Sequence, residues 1–321
     1  RLSSHIAPSE DSAVSAGAPG DTQTYTLDPG DVLQLASAQP PDASCSSTGT
    51  DRQSDLCPVP PFGIPSPCTR VFDYCEPQAD YDLTGTSIQA SGPVMVVGGH
   101  ECAFVPHDRW ACDHLEETLF PLETWGEEFL VSITEPLRGE PNLVRVVSGA
   151  DGNTINFEPA VREPVTLDTG ESVEFEASED FRVTGSTGAI LVSQFLVGQD
   201  YAGFGDSGAM GQGDPAMSLA IPTDQFRSEY TVLAPETFER SFVNITAPEG
   251  LEVMLDGSPV PASAWRAVGS TGMRTARVEI SGGRHTLEAS DTFGVVVYGF
   301  GSYTSYMYPG GLDLEEINPI I

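Results

Sequence analysis

Short runs of β-branched and aromatic residues, separated by glycine, proline, asparagine or aspartate, recur along most of the chain. Clear examples are residues 129–133, 143–147, 189–197, 242–246, 277–280 and 294–300. Runs of this length with turn residues between them predict antiparallel strands arranged as sandwiches or barrels. Helical periodicity is confined to residues 114–120, where we expect one or two helical turns. The sequence therefore predicts an all-β fold.

The strand pattern occurs in repeated copies. A strand, a tight turn containing glycine and a second strand together form a β-hairpin unit, which appears three times. These hairpins are residues 24–37, 164–178 and 278–290. Each copy is followed by a nearly continuous apolar strand that ends in glycine, at residues 82–98, 180–198 and 291–301. An apolar strand of this kind belongs in the middle of a sheet that is packed on both faces.

The three copies predict repeated antiparallel β-sandwich modules. We place the modules at residues 1–105, 125–215 and 216–310, followed by a C-terminal tail at residues 311–321. Residues 38–81 interrupt the first module and contain four of the six cysteines together with many prolines. We therefore expect a disulfide-stapled insertion there, without a sheet.

The charge of the chain excludes several classes of partner. It has 47 acidic and 14 basic residues, a formal net charge of -33, and no lysine. Such a negative field repels the phosphates of nucleic acids and anionic lipid surfaces. No stretch approaches the roughly 20 apolar residues that cross a bilayer, so we expect no membrane insertion. The acidity favours a well-solvated surface, with divalent-cation binding as an alternative.

The cysteines indicate the redox compartment. They are Cys45, Cys57, Cys68, Cys75, Cys102 and Cys112. An even number within the first third of the chain predicts a disulfide framework and a secreted protein. We favour a local bond between Cys102 and Cys112, and the other pairings stay open. Because His100 and His114 flank these two cysteines, a four-ligand zinc site is the alternative, but an oxidising compartment favours the disulfide.

Residues 198–214 form a glycine-rich segment with two chemical interpretations. Asp200, Asp206 and Asp214 are weak candidate ligands for calcium, with solvated carboxylates as the simpler interpretation. Residues 205–208, Gly-Asp-Ser-Gly, resemble the nucleophile segment of a serine hydrolase. The residues around His100 lack the matching histidine motif, so we expect no enzyme and no obligatory cofactor.

Three tyrosines near the end of the chain are candidate contact residues. Tyr303, Tyr306 and Tyr308 alternate with small residues at the end of a predicted strand, where they could face a partner. Residues 244–246, Asn-Ile-Thr, form a glycosylation sequon, but they lie inside a predicted strand and we expect them to be unused.

From about residue 93 onward the chain resembles the N-terminal domain of the IgGFc-binding protein family and its bacterial members. The similar motifs are GPVMVVGGHECAFVP at 92–106, ACDHLEETLFPLETWGEEF at 111–129, LVRVVSGADGNTINF at 143–157, ILVSQFLVG at 190–198, GDPAMSLAIPTDQF at 213–226, LDGSPV at 255–260, ARVEISGGRHTL at 276–287 and FGVVVYGFGSYTSYMYPGG at 293–311. They follow one another in unbroken order and do not extend to residues 1–90.

The resemblance implies an extracellular, non-enzymatic domain. The vertebrate member is associated with mucus and named for binding antibody Fc, so the resemblance implies adhesion to an extracellular glycoprotein or glycan. The acidic, lysine-free composition favours a bacterial member. Other modules of the family cleave themselves at Gly-Asp-Pro-His. Here Gly213, Asp214 and Pro215 are followed by Ala216, so that cleavage is not implied.

The two ends of the chain suggest self-assembly. Residues 1–20 and 313–321 are polar, with few bulky apolar side chains. Ends of this composition fray unless other contacts hold them. We therefore expect them to pair with other copies of the chain by strand addition, which would build an extracellular filament or sheath at the cell surface.

We predict that every cysteine is oxidised. Alkylation of the denatured protein without reductant should then label no thiol, whereas prior reduction should expose six. Removing the bridges of the insertion should cost about 2–5 kcal/mol of local stability, because that segment has little apolar content. Mass spectrometry of the alkylated protein counts the labelled thiols. Any label that appears without reductant contradicts the prediction that every cysteine is oxidised.

Overall fold

The fold is built from strands and short 3-10 turns. The computed structural model describes residues 1–40, 47–51, 70–74, 78–109, 112–199 and 212–318. Within these ranges there is no α-helix, which confirms the prediction of an all-β fold. The described ranges also contain no helix that is long and apolar enough to cross a membrane.

The strands fall into three consecutive groups. The first group contains β1 (Ser47–Asp51), β2 (Arg70–Tyr74), β3 (Val97–Phe104) and β4 (Cys112–Thr118). The second contains β5 (Glu128–Val131), β6 (Asn142–Ser148), β7 (Asn153–Glu158), β8 (Val165–Leu167), β9 (Ser172–Ala177), β10 (Phe181–Gly185), β11 (Ile190–Leu196) and β12 (Ala216–Leu219). The third contains β13 (Arg227–Ala234), β14 (Arg240–Pro248), β15 (Val253–Leu255), β16 (Ser258–Pro259), β17 (Trp265–Ala267), β18 (Met273–Ile280), β19 (Gly283–Gly301) and β20 (Thr304–Pro309). The 3-10 turns are Ala79–Tyr81, Leu122–Thr124, Thr223–Gln225 and Ala262–Ala264.

The second group forms an antiparallel sandwich, as predicted. One sheet has the strand order β5-β10-β7-β8 and the other the order β12-β11-β6-β9. Their facing sides share an apolar core that includes Phe129, Val146, Phe181 and Ile190. Apolar side chains at alternate positions of each strand point into this core, because successive residues of a strand face opposite sides of the sheet.

The third group repeats this connectivity around one long strand. Residues 283–293 of β19 pair with β13 and β15, and residues 294–301 pair with β14 and β20. If the two halves of β19 are taken as counterparts of β10 and β11, the strand orders become β13-β19-β15-β16 and β20-β19-β14-β18. These orders match the second group strand for strand, except that the third group has one more edge strand, β17, which pairs with β18. This match is what duplication of one module would produce. The exact boundaries of the modules stay a prediction.

Two of the three predicted apolar strands lie in the middle of sheets packed on both faces. Every residue of β11 is buried, with Ile190 in the sandwich core. Leu191 and Phe195 contribute to apolar clusters on other elements, outside that core. The second half of β19 is buried almost as completely. The third predicted strand, at residues 82–98, forms only from Val97 onward, where β3 pairs with β4.

The first hairpin prediction was wrong for its strands and right for its turn. At residues 28–31 the Asp31 amide donates to the Asp28 carbonyl over 3.0 Å, and Gly30 has a φ of 97°. The two arms do not pair with each other. The second arm instead bonds to the N-terminal segment, since the Ala7 amide donates to the Ala36 carbonyl and the Ala38 amide to the His5 carbonyl.

Two further predictions are corrected. Residues 114–120 do not form helical turns, because residues 112–118 are strand β4, held opposite β3. The insertion at residues 38–81 was expected to lack a sheet, but β1 and β2 pair within it as an antiparallel ladder. Both strands carry β-branched or aromatic residues that favour extended backbone.

A buried polar network joins the two sandwiches where the chain runs from β5 to β6. The Ile133 amide donates to Oδ1 of Asp180 over 2.8 Å, and its carbonyl accepts from Nε of Arg277 over 2.6 Å and from Nδ2 of Asn244 over 3.0 Å. Asp180 and Arg277 also form an ion pair, with side-chain exposures of 8% and 21%. Tyr298 donates to Oδ1 of Asn244 over 3.0 Å. We call residues 132–135 with these four side chains the linker seam.

The seam also makes the glycosylation sequon at residues 244–246 inaccessible. Asn244 is buried, and both atoms of its amide are engaged in hydrogen bonds. Its side chain is therefore closed to modification in the folded protein.

Arg277→Met should lower the free energy of unfolding by about 3 kcal/mol, because it leaves the buried Asp180 carboxylate without its cation. The matched control is Arg240→Met. Arg240 pairs with Glu279 at side-chain exposures of 36% and 53%, so its loss should cost about 1 kcal/mol or less. Urea unfolding followed by circular dichroism measures both variants. Equal losses would contradict the importance assigned to the seam.

Candidate functional site

The hairpin of β3 and β4 packs on the outer face of the second sandwich. Val105 and Leu115 contact an apolar cluster with Leu143, Phe195 and Val197. The Gly198 amide donates to the Val105 carbonyl over 2.7 Å, which ties the turn end of the hairpin to the segment that follows β11. Among the described strands, β3 and β4 pair only with each other, so this packing holds the hairpin in place.

A disulfide crosses the hairpin. Cys102 and Cys112 are bonded, with their Cα atoms 5.0 Å apart, and Cys102 lies where the β3–β4 register shifts. Because the two sulfurs are bonded to each other, they are not available as zinc thiolates. Nδ1 of His100 accepts from the Cys102 amide over 3.0 Å, and Nε2 of His114 lies 3.4 Å from Oε2 of Glu116.

The remaining predicted disulfide cysteines and most of the candidate metal ligands lie outside the described chain. Cys45, Cys57, Cys68, Cys75, Asp200 and Asp206 lie outside the described residues, as does the Gly-Asp-Ser-Gly segment. Within the described residues, no three side chains of His, Cys, Asp or Glu converge to hold a metal ion.

Asp214 is buried where the hairpin and the two sandwiches meet. Its exposure is 6%, and its amide donates to Oγ of Ser305 over 2.9 Å. Its Oδ1 is buried without a hydrogen-bond partner, and so is Oε1 of Gln199. Burial raises the pKa of Asp214 to about 7, and the nearby Asp113 carboxylate raises it further. The backbone amide of Gln199, which donates to the Asp214 carboxylate, lowers that pKa. A carboxyl at this position binds a proton far more readily than one in water.

A second carboxyl lies in the same contact. Burial raises the pKa of Glu117, although the amides of Thr118 and Leu219 donate to it and lower that pKa. Asp113, Leu115 and Glu117 alternate along β4, so they share the strand face turned away from His114 and Glu116. We call Asp113, Glu117, Asp214 and Gln199 the β4–β12 junction. Sequence reasoning selected only Asp214. The alternation along β4 would have revealed Asp113 and Glu117 had this segment been recognised as a strand, whereas nothing in the sequence pointed to Gln199.

The tyrosine candidates separate into two roles. Tyr306 packs against Phe238 with ring centroids 4.7 Å apart and bonds Oγ of Ser241 over 2.9 Å. The Tyr308 hydroxyl accepts from the Leu233 amide over 3.0 Å and donates to the Leu233 carbonyl over 2.8 Å. Both side chains therefore serve packing. Tyr303, which is 40% exposed at a φ of 57° between β19 and β20, stays a candidate for partner contact.

Tyr308→Phe should speed amide exchange at Leu233, because the variant removes the hydroxyl that accepts this amide at the edge of β13. The cost to global stability should be about 1 kcal/mol, since the site is exposed and water can replace the bond. Tyr306→Phe is the control, and it should leave exchange at Leu233 unchanged. Exchange followed by nuclear magnetic resonance measures both, and equal exchange in the two variants would rule out the edge contact.

Four of the ten exposed large apolar side chains in the described residues lie in the hairpin or directly before it. Val94, Met95, Val97 and Phe104 have exposures of 56%, 78%, 50% and 37%. These four residues, which we call the hairpin surface, lie in or directly before β3. Exposed apolar side chains that form a contiguous surface patch are a common feature of protein contact sites.

The N-terminal segment packs on its own chain. Leu2, Ile6 and Val14 are buried together in a small apolar cluster. The Leu2 amide donates to the Asp21 carbonyl over 2.8 Å, and the His5 amide to the Asp80 carbonyl over 2.7 Å.

The C-terminal tail is also held within the chain as far as Asn318. The buried side chain of Gln225 donates to the Glu315 carbonyl over 2.7 Å and accepts from the Glu315 amide over 2.9 Å. The Ile317 amide donates to the Glu123 carbonyl over 2.9 Å. Both ends therefore have partners in their own chain, and the expectation of filament assembly loses the observation on which it was based.

One histidine pairs with a carboxylate in a way that resembles a catalytic dyad. Nδ1 of His285 lies 2.7 Å from Oδ2 of Asp256, and its Nε2 lies 2.8 Å from the Ser281 carbonyl. Both ring nitrogens are thus engaged, and neither is left to activate a nucleophile. The pair fixes the turn between β15 and β16.

Comparison with known proteins supplies the remaining finding. The model of a family described as IgGFc binding protein matches residues 3–299. The match therefore includes the first ninety residues, which the motifs did not reach. The human IgGFc-binding protein is 24% identical over 255 residues, which cover 78% of this chain and 4% of that protein. This chain therefore matches only a small part of that relative's length.

A solved structure described as an anti-sigma factor domain-containing protein shows a much weaker likeness. The alignment covers 57% of this chain and 82% of that one, at 9% identity and a TM-score of 0.16. A score this low carries no argument about fold or function.

Proposed function

Because the chain belongs to the family described as IgGFc binding protein, we propose that it is a secreted, non-catalytic module that binds an extracellular protein or glycoprotein. The family match over nearly the whole chain is the observation that carries this proposal. The human relative is named for binding the Fc region of immunoglobulin G, so Fc is the first partner to test.

The hairpin surface is the part of the molecule that we assign to the partner. Val94, Met95 and Val97 are half or more exposed, and the hairpin that carries them is braced by a disulfide. A contact site gains affinity when its apolar side chains are presented on a rigid element, because little conformational entropy is then lost on binding.

The net charge of -33 adds an electrostatic contribution. A partner that presents basic groups is attracted at long range, and this attraction raises the association rate. Salt screens it, since the Debye length falls from about 10 Å at 0.1 M to about 3 Å at 1 M. Affinity for the partner should therefore decrease as the salt concentration rises.

Biolayer interferometry with immobilised Fc and with a mucin-type glycoprotein tests the proposal. We expect saturable binding to at least one of them, weaker in 1 M than in 0.1 M sodium chloride. The double variant Met95→Ser, Val97→Ser should bind at least tenfold more weakly, with an unchanged melting temperature, because both side chains are exposed.

The matched control is Leu233→Ser, which removes a side chain that is 62% exposed on β13, outside the hairpin. This variant should bind like the wild type. If the double variant binds equally well, the hairpin surface is not the contact site. If neither probe binds the wild type, the proposed function is contradicted for these two classes of partner.

A further inference from the structure

We propose that the β4–β12 junction is an acid-stabilised contact, through which the β3–β4 hairpin docks firmly on the second sandwich when the facing carboxyls are protonated and loosens when they ionise. This inference concerns how the hairpin is held and does not depend on the identity of a partner.

The hydrogen-bonding groups at the junction favour a bound proton. Oδ1 of Asp214 and Oε1 of Gln199 are both buried acceptors without a donor. A buried acceptor that lacks a donor is costly, and a buried carboxylate without a cation is costlier still. Protonation converts the Asp214 carboxylate into a neutral group with an O–H donor, which reduces both costs.

The groups that face Asp214 do not offer a positive charge in place of that proton. From β4 the titratable group that acts on Asp214 is Asp113, while Cys112 is held in the disulfide. Glu117 lies four residues further along β4, where it accepts from the Leu219 amide of β12. From the segment after β11 the neighbour is Gln199, and from β20 it is the Ser305 hydroxyl. Within the described chain, no arginine or histidine contributes to the shift at Asp214 or Glu117. Ionisation therefore places like charges across a partly buried contact.

The direction of the pH effect follows from these shifts. The pKa of Asp214 rises from 3.8 to about 7 in the docked protein. At a pH between these two values, the docked form therefore holds a proton that the released form has lost. Docking consequently weakens as the pH rises through this window and is weakest above about 7. The raised pKa of Glu117 acts in the same direction. Each pKa unit is a factor of ten in the docking equilibrium, so the shift at Asp214 sets an upper bound of about a thousandfold.

The hairpin is able to respond because its attachments are few. It shares no ladder with another described sheet, and the Cys102–Cys112 bond keeps its two strands together when it loosens. Its contacts with the sandwich include the apolar cluster around Leu115, the bond from the Leu219 amide to the Glu117 carboxylate, and the bond from the Gly198 amide to the Val105 carbonyl. That amide is a direct reporter of docking, because its acceptor lies on the hairpin, directly after β3.

Hydrogen exchange of the Gly198 amide at pH 5.5 and pH 8, corrected for intrinsic exchange rates, tests the proposal on the full, oxidised chain. In the wild type the protection factor should fall at least about tenfold between these pH values. Asp214→Asn carries a neutral group that can donate a hydrogen bond, so it should keep high protection at both. The control Glu229→Gln removes an exposed charge on β13 and should follow the wild type.

Glu117→Gln provides a second, independent variant in case the first perturbs folding, and it should by itself reduce the fall in protection. Protection that is equal at both pH values in the wild type, or a fall that persists in both variants, overturns the proposal. It is also overturned if calcium chloride restores protection at pH 8 in the wild type and not in Asp214→Asn. In that case the junction is a cation site, and not a proton-dependent contact.

Discussion

The linker between β5 and β6 imposes the constraint on which the arrangement of the two sandwiches depends. Its first residues, 132–134, are buried and belong to no described strand, so their amides and carbonyls need partners from side chains. Asp180 supplies an acceptor from the second sandwich, and Arg277 and Asn244 supply donors from the third group. A shift of one sandwich against the other would leave several of these groups unpaired. The seam therefore determines the relative position of the sandwiches as well as contributing to stability.

The sheet that contains β11 imposes a second constraint on the structure. Because that strand is buried on both faces, the outer face of its sheet must be covered, and the β3–β4 hairpin and the third group cover it. The coverage brings acidic residues of a strongly acidic chain into a contact with little water. Asp214 and Glu117 are two such residues, and burial raises the pKa of each.

The sequence predicted those parts of the fold that depend on local pattern. The strands follow from the short β-branched and aromatic runs, the two-faced burial of β11 from its nearly continuous apolar run, and the turn at residues 28–31 from the placement of glycine. Residues 114–120 were misread because the acidic run hid the alternation of Leu115 with its neighbours. The arms at residues 24–37 and both chain ends were misread because their partners are distant in sequence. Burial of Asp214 was unpredictable for the same reason, as three separate segments enclose it.

The hairpin connects the proposed binding surface with the proposed pH response. Its exposed apolar residues and its buried carboxyls occupy different parts of the same two-stranded element, so a partner has no need to touch the carboxyls. Binding and protonation then influence each other only through the docking equilibrium of the hairpin. A partner that prefers the docked hairpin must raise the affinity of the junction carboxyls for protons. By the same factor, protonation of those carboxyls must raise the affinity of the hairpin for the partner. If the partner makes equal contacts with the docked and the loosened hairpin, this coupling vanishes however tightly the partner binds.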